Sequence, residues 1–101
     1  MQNITVRTLP QFEAWLRDRR DPKTKARLLK RLRKAMLGNL GNVESVGGGV
    51  YEMREHFGPG WRMYYVQRGK TVIILLAGGS KKTQARDIAE AKQLATKLDN
   101  P

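Results

Sequence analysis

Cysteine is absent and histidine occurs once, as His56, which excludes disulfides, thiol chemistry and zinc or iron–sulfur sites built on such ligands. No cofactor and no metal are expected. Long apolar runs are missing too: the longest, Val72 to Ala77, falls far short of the roughly 20 residues that a membrane-spanning helix needs. The opening, Met1-Gln2-Asn3-Ile4-Thr5-Val6-Arg7, lacks the basic-then-apolar order of a signal peptide, so the expectation is a cytoplasmic protein with no membrane partner. Acid is scarce. Nine Asp and Glu stand against 20 Lys and Arg in 101 residues, a net charge of +11. A charge of that size on a small body attracts polyanions, whether nucleic acid, an anionic surface or an acidic protein.

With 40% hydrophobic residues the chain can close a small core, and its length suits one domain. Ile4 to Thr8 is a short strand-type run that Pro10 closes. Phe12, Trp15 and Leu16 then form one apolar stripe on a short helix ending near Arg19-Arg20. Asp21-Pro22 reads as an N-cap followed by proline at the first helical position. Leu28, Leu29, Leu32, Ala35 and Met36 carry that second helix to about Leu37, where Gly38-Asn39 stops it. Leu40 to Gly49, rich in glycine and asparagine, reads as a loop. Three strands follow, Val50 to Phe57, Trp61 to Gln67 and Thr71 to Gly78, separated by three-residue glycine-containing gaps. Ala85, Ile88, Ala89, Ala95 and Leu98 mark a final helix. The order β-α-α-β-β-β-α predicts an α+β domain in which a helical hairpin and a C-terminal helix pack on a mostly antiparallel sheet.

A hairpin turning at Gly58-Pro59-Gly60 places Phe57 opposite Trp61, His56 opposite Arg62, Arg54 opposite Tyr64 and Glu52 opposite Val66. Period-two alternation then separates two faces. Tyr51, Met53, Phe57, Trp61, Met63 and Tyr65 make a core face; Glu52, Arg54, His56, Arg62 and Tyr64 gather on the other, which reads as an open polar surface. Arg54 and Arg62 near each other repel unless an anion bridges them. Beyond the last strand, Gly78-Gly79-Ser80-Lys81-Lys82 offers close backbone approach and two cations at a helix start, a candidate phosphate site without the spacing of a Walker loop. From Arg17 to Lys34 ten basic residues meet two acidic ones, and Arg27, Lys30, Arg31 and Lys34 share the helix face opposite the leucines. That face is a candidate grip on RNA phosphates or on an acidic protein. Trp15 and Trp61 fit core positions better than base stacking.

The hairpin Tyr51-Glu52-Met53-Arg54-Glu55 to Gly58-Pro59-Gly60-Trp61-Arg62-Met63-Tyr64-Tyr65, with Val72 to Gln84 and Asp87-Ile88-Ala89, resembles the RelE/ParE superfamily of bacterial toxins. The likeness is strongest to the HigB-like branch of addiction module killer proteins and takes in residues 1–101 as one toxin domain. It implies the toxin of a type II toxin–antitoxin module: a ribosome-dependent, metal-independent endoribonuclease that cuts messenger RNA. It also implies a helix-turn-helix antitoxin that holds the toxin inactive, with operator DNA reached only through that partner. Arg54 and Arg62 match the family's sheet cations and Lys81 its cation at the end of the last strand, with Lys82 beside it as an RNA contact. Some relatives carry lysine where this chain has Glu52, and others use a Tyr or His near the last helix, where this chain has Asp87. Glu52, His56 and Tyr64 are therefore the candidates for proton transfer. A gyrase-inhibiting toxin of the ParE kind and a non-toxic basic binding module are the alternatives.

Overall fold

Pro10 closes the first strand, β1 (Thr5–Thr8), and opens the first helix, α1 (Pro10–Arg17). The helix stops two residues short of the expected Arg19-Arg20 because Arg19 folds back: its guanidinium lies 4.8 Å from the Trp15 ring and 5.0 Å from the Trp61 ring, and its Nε donates to the Trp15 carbonyl. The second helix, α2 (Pro22–Met36), starts where expected, the Asp21 carboxylate accepting from the backbone N–H of Lys23 and of Thr24 and from the Thr24 hydroxyl. Gly38, at φ 93°, turns the chain out of it. The computed structural model describes residues 2–99, so Met1, Asn100 and Pro101, the ends of the expected 1–101 domain, lie outside the described residues.

The α+β architecture follows as expected, with one more strand. Val43–Gly47, read as loop from its glycines, is strand β2, paired antiparallel with β3 (Val50–Arg54). Gly47, Gly48 and Gly49 all take positive φ and make the turn between them, so the glycines end a strand rather than prevent one. Then come β4 (Trp61–Arg68), β5 (Val72–Ser80), a 3₁₀ turn over Lys81–Thr83 and α3 (Gln84–Asp99). The sheet runs β1-β5-β4-β3-β2; β1 lies parallel to β5 and every other pair is antiparallel.

The β3–β4 register differs from the expected one by two positions. Arg54 faces Arg62, Glu52 faces Tyr64 and Val50 faces Val66, while Phe57 and His56 lie beyond the end of β3. The three-residue turn becomes a longer loop, residues 55–60, closed by the Glu55 N–H on the Trp61 carbonyl and by the Gly60 N–H on the Phe57 carbonyl. A slip of two keeps every side chain on its face. On one face Met53, Met63, Tyr65, Ile73 and Leu75 pack with Phe12, Leu28, Leu32 and Ala35 of the two N-terminal helices.

The opposite face is not open, as the alternation of the hairpin suggested. Val50, Tyr64, Val66, Leu76 and Ala77 pack beneath Ala91, Leu94 and Ala95 of α3. On β5 the extra residue Leu76 makes a bulge, since Tyr64 pairs with Ala77 and Tyr65 with Leu75. From there on the parity of β5 is reversed: Gly78 turns toward Trp15 and Gly79 toward Asp87, each so close that a Cβ would collide with the facing side chain. Among the described residues, no helix is long and apolar enough to cross a membrane.

Candidate functional site

The ends of β3, β4 and β5 meet the first turn of α3 at a cleft of about 590 Å³ lined by Arg54, His56, Gly58, Pro59, Gly60, Arg62, Lys81 and Gln84. Four of the six residues expected at the site, Arg54, His56, Arg62 and Lys81, line it, and Glu52 and Tyr64 lie beneath. Gly60, at φ 76°, sits between Lys81 and Arg62: a Cβ there would lie 3.3 Å from the Lys81 Cβ and 3.8 Å from Arg62 Nη1. The Lys81 N–H donates to the Pro59 carbonyl, tying the 3₁₀ turn to the hairpin loop.

Glu52 is fully buried and organises the cations above it. Its Oε1 accepts from Arg54 Nε at 2.9 Å and lies 3.8 Å from Arg62 Nε; its Oε2 accepts from Gln84 Nε2 at 2.7 Å. One carboxylate thus lies between the two guanidinium groups whose mutual repulsion the sequence exposed. Arg54 also pairs with the carboxylate of Glu44 on β2, so the strand missed in the sequence supplies a second anion to the site. Fixed cations with donors to spare toward solvent suit a phosphodiester better than they suit proton transfer.

Tyr64 is buried rather than presented on an open face. Burial pushes its phenol well above the usual tyrosine range, and the charges of Glu52 and Asp87 push it further against the opposing pull of Arg62. It therefore stays protonated, a hydrogen-bond donor rather than a base. Tyr64 OH and Arg62 Nε are buried with no hydrogen-bond partner among the described residues. Asp87, buried on the α3 stripe, accepts from Thr83 Oγ1 at 2.5 Å. Its signal in the sequence is its place at the head of the apolar spacing Asp87, Ala91, Leu94, Ala95 and Leu98, a carboxylate where core is due. Gln84, Thr83 and Glu44 carried no comparable signal.

His56 lies on the exposed loop, where Asn42 Nδ2 and His56 Nε2 are 2.9 Å apart. An amide nitrogen can only donate, so with Nδ2 facing the ring Asn42 is the donor in this contact and His56 Nε2 the acceptor. Among the described residues, no group of three or more His, Asp or Glu is gathered as a metal would need.

A second hollow, of about 290 Å³, lies between α2 and the hairpin loop and is lined by Arg27, Lys30, Arg31, Lys34, Asn39, Gly41 and Glu55. Arg31 differs from its neighbours there. Its guanidinium donates to the carbonyls of Leu40, Asn42 and Arg54 and lies 3.3 Å from Glu55, so it ties α2 to the start of β2 and the end of β3. Arg27 stacks over Phe57 at 3.8 Å. Lys30, Lys34 and, on the 3₁₀ turn, Lys82 are exposed.

Over 95 residues the chain is 37% identical to an uncharacterised protein of Haemophilus influenzae, covering 94% of this chain and 96% of that protein. The solution structure of a conserved hypothetical protein from Helicobacter pylori shares the fold, with a TM-score of 0.54 at 18% identity over 78% of this chain and 96% of that one. Residues 15–98 match the model of the family described as phage-derived protein Gp49-like (DUF891), and the chain belongs to that family, one related to the RelE- and HigB-like toxins of toxin–antitoxin modules.

Proposed function

We propose that this protein is the toxin of a type II toxin–antitoxin module and cuts messenger RNA on the ribosome without a metal ion. The observation that carries the reading is the cleft in which Arg54, Arg62 and Lys81 converge beside one imidazole. In this chemistry the ribose 2′-hydroxyl attacks the adjacent phosphorus, the P–O5′ bond breaks, and a 2′,3′-cyclic phosphate and a 5′-hydroxyl are left. One proton must leave O2′ and one must reach O5′. Arg62 and Arg54 would hold the phosphate oxygens as charge builds on them. His56 supplies the imidazole on the cleft, and its Nε2 would take the O2′ proton, with the 2′-hydroxyl replacing Asn42 as donor to that nitrogen. Lys81 would supply the proton to O5′. Tyr64, held protonated, fits a supporting donor role, and Glu52 fixes the angle of both guanidinium groups. Lys82 would meet RNA phosphates beside the cleft and Arg27, Lys30 and Lys34 those that pass the second hollow, Arg31 holding that hollow in shape. The antitoxin is the expected protein partner.

Mapping the 5′ ends of cellular messages after induced expression tests this. Codon-phased cuts are expected, reduced at least about 100-fold by Arg62→Ala, the usual cost of one donor to a developing oxyanion. Intact messages with altered plasmid supercoiling would replace this reading by gyrase inhibition.

A further inference from the structure

An amphipathic helix needs one apolar stripe to dock on a sheet, and α2 has two. Leu28, Leu32 and Ala35 are the first, buried against the sheet. The second is Ala26, Leu29, Met36 and Leu37, at i, i+3, i+10 and i+11 along the outer side of the helix and its cap, with the cation Arg33 at i+7 between them. Leu29 is 38% exposed, Met36 42% and Leu37 62%, and the remaining exposed large hydrophobic side chain among the described residues, Tyr51, is stacked on Tyr65. Among the described residues, neither core cluster takes in this second stripe. Its surroundings are strongly charged: from Pro22 to Met36 there are seven Lys and Arg and no acid, and Lys30, Arg33 and Lys34 have no carboxylate partner among the described residues.

We propose that the outer side of α2 is a docking surface for an acidic amphipathic segment of a partner protein, with Leu29, Met36 and Leu37 receiving apolar anchors and Lys30, Arg33 and Lys34 receiving carboxylates. Only the naming of that partner as the antitoxin rests on the toxin–antitoxin reading above. The apolar residues decide the occupant. RNA phosphates would use the lysines and arginines and leave Leu29, Met36 and Leu37 in water. A lipid surface calls for a broader apolar face with aromatic rings, and the stripe has none. Two half-covered side chains and one exposed one, ringed by unpaired cations, match a peptide that carries leucines on one side and glutamates on the other.

The probe is a fluorescein-labelled peptide of leucine and glutamate in heptad order, set against a scrambled isomer of the same composition and charge, with binding read by fluorescence anisotropy. The protein is expected to favour the ordered peptide by at least about 10-fold, a difference of about 1.4 kcal/mol. Leu29→Ser with Met36→Ser should remove the preference and leave the weaker, salt-sensitive binding common to both peptides. Leu37→Ser, at the most exposed position, should reduce the preference without any effect on folding by urea titration. Arg62→Ala, in the distant cleft, should leave it intact. Equal binding of the two peptides by the unaltered protein would overturn the proposal, as would a preference that survives the double substitution. An oligouridylate that loses affinity in the double variant as steeply as the ordered peptide does would make RNA the occupant instead, and would also overturn it. Uncut messages alongside an intact peptide preference would remove the nuclease reading and leave this surface standing.

Discussion

Without the Glu52 carboxylate, the guanidinium groups of Arg54 and Arg62 would face each other across β3 and β4 with no anion between them, one of them buried. Removing one partner of a buried ion pair costs about 3 kcal/mol because the charge that remains is uncompensated. Glu52→Ala is therefore expected to lower the urea midpoint by an amount equivalent to about 3 kcal/mol, and Glu52→Gln, which keeps the shape but not the charge, to lie between it and the unaltered protein. At this scale the sequence was informative about sides and silent about depth. The expected pairing of Arg54 with Tyr64 was two positions away from the real one, yet Glu52, Arg54, Arg62 and Tyr64 share a face, because a period of two survives a slip of two. Their depth depends on Val50, Val66, Leu76 and α3 closing over the same face, contacts between segments far apart in the chain. Alternation within a hairpin carries no information about what covers it.

Among the elements, both helices that begin with proline and the interior strand β5 were legible, since proline position, capping and apolar runs are local signals. β2 was not: Val43 and Val46 are its only apolar side chains, and the glycines that flank them serve equally well as loop or as hairpin turn. The bulge at Leu76 was also invisible, and it determines which glycine faces which helix. Gly79→Ala would drive a methyl group into the Asp87 carboxylate and lift the first turn of α3, with Gln84, away from Glu52. A loss of about 2 kcal/mol by urea unfolding is expected, as for overpacked cores. Asp87→Ala added to Gly79→Ala should recover part of the loss, a non-additivity that neighbours in contact produce.

For the whole molecule, +11 is less important than where the charge sits. The cleft holds its cations against the carboxylates of Glu52 and Glu44, whereas Lys30 and Lys34 of α2, at the second hollow, have no carboxylate partner among the described residues. Salt should therefore affect the two regions differently. On the nuclease reading, replacing Arg27, Lys30 and Lys34 by alanine is expected to flatten the salt dependence of the proposed ribosome binding, by roughly 0.7 in the log–log slope for each single-strand phosphate that is no longer neutralised. Sedimentation binding over a range of potassium chloride measures this; an unchanged slope would mean that α2 stays clear of RNA.

The parallel pairing of β1 with β5 joins Thr5 to Val72 and Thr8 to Leu75, so the first strand made waits for one of the last before it has a partner. Contacts between segments that far apart form slowly. During synthesis, the cations of β3 and β4 leave the ribosome before Lys81 and the first turn of α3, which complete and orient them. On the nuclease reading, a chain interrupted before the first turn of α3 would therefore carry its guanidinium groups without the residues that complete the site.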